Sequence, residues 1–99
     1  MTSRHWMNDR QSRQAIIDSI GEGQIIKEVV VDDGDPRGAT IHKISNTGII
    51  TVVNQKTMKL VTKKIARVGQ LIKLYNEERV PSYLIRLARE HQSLGYNMM

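Results

Sequence analysis

His5, Arg10 and Arg13 place one imidazole and two guanidiniums near the start of the chain. An imidazole titrates close to neutral pH and can move a proton, and a guanidinium offers phosphate a two-pronged donor. That set suits RNA cleavage without a metal, in which the 2′-hydroxyl attacks the adjacent phosphate and the protein supplies a base, an acid and cations for the developing charge. Lys43, Lys59, Lys63 and Arg67 add cations for phosphate contact, and Tyr75 adds a ring that could stack on a base or donate a hydrogen bond. Each residue also has a plainer use. His5 could be a solvated residue, Arg10 and Arg13 could line a wet helix face with Asp9 pairing to Arg13, and Tyr75 could be core.

Other chemistries find little support. The three histidines, His5, His42 and His91, are widely spaced and there is no cysteine, so neither a zinc site nor a thiol nucleophile is expected. His42 and His91 read as packed rings. Asp32-Asp33-Gly34-Asp35 lacks the further ligands of a calcium loop and reads as a solvated turn. Gly21-Glu22-Gly23 follows a helical stretch instead of a strand, which argues against a phosphate-cradling loop. No cofactor is expected.

Charge distribution carries more. Residues 36–76 hold eight Lys and Arg and no acid, whereas residues 1–35 are net −3 and residues 77–99 are neutral, for a total of +5. A one-sided field of this kind steers polyanions, RNA first among them. No apolar run reaches the length of a membrane span and the first residues lack a secretory apolar core, so a cytoplasmic protein with no membrane partner is expected.

These residues must be positioned by an α+β fold: an N-terminal helix, a curved antiparallel sheet of about four strands and two C-terminal helices. One domain is expected over residues 1–99, with a C-terminal helical extension over 69–99. Apolar spacing predicts helices over 8–20, 70–78 and 82–94, the last with Leu84, Leu87, Ala88, His91 and Leu94 on one stripe. Residues 24–31, 39–44, 49–53 and 58–65 read as strands, and 49–53, apolar on both pleat faces, as a central one. A four-residue turn over 54–57 would set Val53 opposite Met58 and Ile50 opposite Val61. Lys43, Lys59 and Lys63 would then share one face.

The order of features resembles small bacterial proteins of the RelE/BrnT-like toxin superfamily, over about residues 4–67. The matching text is His5, Arg10 and Arg13, then Ile16-Ile17, Ile20 and Gly23-Gln-Ile-Ile26, then Thr51-Val-Val-Asn-Gln-Lys-Thr57 and Val61-Thr62. Asp9 stands where that family carries an Arg, and Arg13-Gln-Ala-Ile replaces its Arg-Gly-Ile-Ser. The tail from Pro81 to Asn97 looks like small accessory proteins of phages and mobile elements. The resemblance implies a curved antiparallel sheet, ribonuclease or RNA-binding activity, and an acidic antitoxin over the basic face. The alternative is a non-catalytic accessory protein that binds nucleic acid or a host protein. The oligomeric state is left open.

Overall fold

The computed structural model describes residues 9–95, with side chains from Arg13 onward. In chain order the elements are α1 (Asp9–Ile20), β1 (Ile25–Val31), β2 (Thr40–Ser45), β3 (Ile49–Asn54), β4 (Leu60–Ile65), α2 (Val68–Tyr75) and α3 (Ser82–Ser93). The strands form one antiparallel sheet in the order β1-β2-β3-β4. This is the α+β arrangement expected from the sequence.

Strand β3 sits inside the sheet and is apolar on both faces because both are covered. On one face Ile44, Ile50 and Val52 pack beneath Leu71, Leu74 and Tyr75 of α2 and Leu84 and Ala88 of α3. On the other, Ile49 and Ile65 meet Ile17 of α1, with Ile16 and Ile20 at the margin. Among the described residues the second cluster is the smaller, with Ile17 as the buried side chain of α1 in it. The α3 stripe forms as expected, with Leu84, Ala88 and His91 buried. Leu94 departs from it because the helix has already ended, and its side chain is exposed.

A hydroxyl pair ties α1 to the β2–β3 turn. Thr47 Oγ1 donates to the carbonyl of Gly21, 2.8 Å away, so the proton between Ser45 Oγ and Thr47 Oγ1 belongs to Ser45. Ser45 Oγ is then free to accept the backbone N–H groups of Thr47 and Ile49. Gly23 comes so close to this turn that a Cβ there would collide with Asn46 and Thr47, and its φ of +66° is left-handed.

The β3–β4 register corrects the expected one. Val53 pairs with Leu60, Val52 with Thr62, Thr51 with Lys63 and Ile50 with Lys64. The turn is longer than four residues. Met58 N donates to Asn54 O at 2.7 Å, and Asn54 Oδ1 accepts from both Lys56 N and Thr57 N. Met58 takes a φ of +62°, which lets the chain double back, and Val61 is an extra residue that bulges out of β4.

Burial pushes the ring pKa of both His42 and His91 below the ordinary histidine value, with the Lys64 charge adding to the effect at His42. Both rings are therefore charged more readily in the unfolded chain. Their contribution to stability is present above the unfolded value, about pH 6.5, and is lost as pH falls below it. We expect the melting temperature to decline between pH 7 and pH 5.5, measured by circular dichroism. A flat profile across that window would show that neither ring is depressed.

Candidate nucleic-acid interface

Alternation along the strands puts Lys43 and Lys63 on the same face as α1, on either side of Thr51 in one cross-strand row. Glu28 continues the row beside Lys43 on β1. Lys63 Nζ is ion-paired to Glu22 in the α1–β1 link. The row is therefore partly compensated by acids. Lys59 does not join it. Leu60 pairs with Val53 on the α1 face, so Lys59, one residue earlier, projects to the other side.

The stronger positive field lies one residue further on, along the outer edge of β4. Lys64 pairs with Ile50 and so faces the α2 side of the sheet. Its ammonium is partly buried, and among the described residues it forms no ion pair. Burial lowers its pKa, and the charges of Arg13 and Arg67 lower it further. Three elements converge here. Arg13 comes from α1, where it borders a shallow depression with Thr62 and Lys63. Lys64 comes from β4, and Arg67 from the residue before α2. Like charges brought this close repel one another, and an anion set among them would relieve the repulsion.

On the α2 side of Lys64 the sheet and helix leave a pocket of about 170 Å³, lined by Val31, His42, Lys64, Gln70, Lys73 and Leu74. His42 Nε2 lies 3.0 Å from Thr40 Oγ1, while its Nδ1 is buried without a hydrogen-bond partner. Gln70 Oε1 accepts the N–H of Arg67, which leaves its amide nitrogen as the donor end. Among the described residues no Asp or Glu lines the pocket.

The sequence candidates thus divide. Arg13 and Arg67 are brought together around Lys64, and Lys43 and Lys63 share a row. Tyr75 is buried in the core, and its ring carries the Lys27 ammonium 4.9 Å above its centre while Lys27 also pairs with Glu78 at 2.7 Å. A ring enclosed in this way cannot stack on a nucleobase. His5 and the side chain of Arg10 lie outside the described residues. Sequence reasoning overlooked Lys64, Lys73, Gln70 and His42 as a group. The signal was present in the acid-free run, but grouping them needs the correct β3–β4 register.

The acids of the β1–β2 loop are used locally. Asp32 accepts Gly34 N, Asp33 accepts Asp35 N, and Asp35 binds Arg37 through both its backbone and its guanidinium. Those Arg37 contacts hold the Asp35 carboxyl down to about 2. Among the described residues no group of three His, Asp or Glu side chains is placed to hold a metal, and no helix is long and apolar enough to cross a membrane. No family model matches the chain, and no curated protein or solved structure is similar to it.

Proposed function

We propose that this protein binds RNA through the cationic edge of β4, with Arg13, Lys64 and Arg67 at its centre and Lys43, Lys59 and Lys63 as flanking charges. The observation that carries the reading is Lys64: a partly buried ammonium with no acid paired to it among the described residues and two arginines near enough to oppose its charge. The cluster is repulsive in itself, and a phosphate backbone lying along the edge would set an anion beside Lys64. The expected setting is the cytoplasm, with an acidic protein as the partner that would cover the same edge.

Fluorescence anisotropy with a labelled single-stranded RNA tests the reading. Three phosphate contacts predict that log K falls against log salt with a slope of about −2, at about −0.7 per contact for a single strand. Binding that is absent, or insensitive to salt, rejects it.

A second reading, metal-independent RNA cleavage by His5, Arg10 and Arg13, is favoured by one observation. Arg13 borders the same depression as Thr62 and Lys63, where a bound phosphate would meet it. Incubation with total RNA in EDTA separates the two readings: cleavage that His5→Ala removes supports the enzyme, and intact RNA leaves a binder.

A further inference from the structure

The pocket between the sheet and α2 is more selective than a cationic edge needs to be. Its polar groups are nearly all donors. Lys64 and Lys73 bring ammonium groups, and Gln70 presents its amide nitrogen because its oxygen is committed to Arg67 N. His42 forms the inner polar wall, fixed through Nε2 to Thr40. Val31 and Leu74 supply an apolar boundary, and no carboxylate lines the site among the described residues. A small site with converging donors and no acceptor carboxylate suits a compact anion of high charge.

We propose that this pocket binds a terminal phosphate, the monoester at one end of an RNA strand whose backbone follows the β4 edge. The inference rests on the RNA reading above and adds an end preference to it. Lys64 stands at the junction of the two regions, facing the pocket while Arg13 and Arg67 flank it along the edge. A phosphate within a chain carries one negative charge and two ester links. A terminal phosphate carries close to two charges near neutral pH and three unbridged oxygens, so it answers two ammonium groups and an amide donor together. A strand entering end-first would leave its next phosphates on Arg67 and Arg13. The pocket volume of about 170 Å³ accommodates a phosphate group.

The test uses the full chain and one RNA sequence in three forms, with a 5′-phosphate, a 3′-phosphate or hydroxyls at both ends, at constant ionic strength. One phosphorylated form is expected to bind about tenfold more tightly than the hydroxyl form, as one additional charge-assisted contact would give. Lys73→Gln should reduce that preference to less than about twofold while the affinity for the hydroxyl form changes little, because Lys73 lies on α2, away from the edge. Lys64→Gln should weaken all three forms and also remove the preference. Inorganic phosphate and a nucleoside monophosphate, titrated separately, distinguish free phosphate from a strand end. Both should move the His42 ring signals saturably and raise the His42 pKa, and only the strand should gain affinity with length. Equal binding of all three RNA forms overturns the end-binding inference and leaves the RNA reading standing. Failure of all three to bind, with His42 still responding saturably to phosphate, overturns the RNA reading and with it the strand-end assignment. A preference that survives in Lys73→Gln overturns the assignment to this pocket.

Discussion

Replacing Lys64 by glutamate is expected to lower RNA affinity by about a hundredfold, more than any other single charge change on the molecule. The substitution removes the central cation and places a carboxylate among phosphates. It also sets a carboxylate beside Arg13 and Arg67, so two more cations become less available to RNA. Burial lowers the Lys64 pKa in the wild-type chain and the charges of Arg13 and Arg67 lower it further; a carboxylate is buried there in turn, but it exchanges that repulsion for attraction. The melting temperature should therefore hold steady or rise, which separates lost binding from lost folding. Reversal of Lys43, Lys59 and Lys63 together provides the comparison. Lys63 is already paired with Glu22, and Lys59 projects away from the other two, so the triple change should weaken binding less than Lys64→Glu alone. Parallel anisotropy titrations with thermal melts decide the matter. If the triple variant loses more affinity, the binding surface is the α1 face of the sheet and not the β4 edge.

Truncating Ile17 to alanine should cost about 2–4 kcal/mol, the usual range for a buried isoleucine whose surroundings only partly collapse. Ile17 is 1% exposed and is the only fully buried side chain that α1 contributes among the described residues. Its cluster is separate from the larger one under α2 and α3. The loss should therefore fall mainly on α1. Hydrogen exchange should show α1 amides losing protection while β3 amides keep most of theirs. RNA affinity should fall by about tenfold as Arg13 leaves the edge, one charge-assisted contact fewer. Ile50→Ala, a change in the larger cluster, should instead lower protection across the whole sheet. Uniform loss in both variants would mean that α1 and the sheet unfold as a single unit.

Local pattern in this chain is plain enough to give every element. The β-branched runs around Val29–Val31 and Ile49–Val53 have one reading as strands, and the Leu84–Ala88–His91 spacing has one reading as a helix face. The α+β order followed from those runs. The register of β4 was hidden because it depends on Met58 in a left-handed conformation and on Val61 as an extra residue. A methionine gives no warning of a positive φ, as a glycine would, and a bulge changes no residue type. Reading the turn as four residues long brought Lys59 onto the row of Lys43 and Lys63, and left Lys64 unnoticed as the residue facing the other way. Tyr75 shows the opposite limit. Its type permits stacking on a base, and only the packing of α2 on the sheet shows that its ring is already enclosed.

The interrupted strands have a consequence for how the molecule behaves in company. Strands β1 and β4 form the two margins of the sheet, and each carries an irregularity, at Ile26 in β1 and at Val61 in β4. A regular margin is a template on which another chain can add a strand, and the exposed Ile25, Ile26, Leu60 and Val61 would make such templates adhesive. A local bend and extra twist at each margin spoil that template, and the Lys64 charge on β4 adds repulsion against the same edge of a second copy. The irregularities thus leave an apolar, positively charged border that is a poor template for strand addition by a second copy.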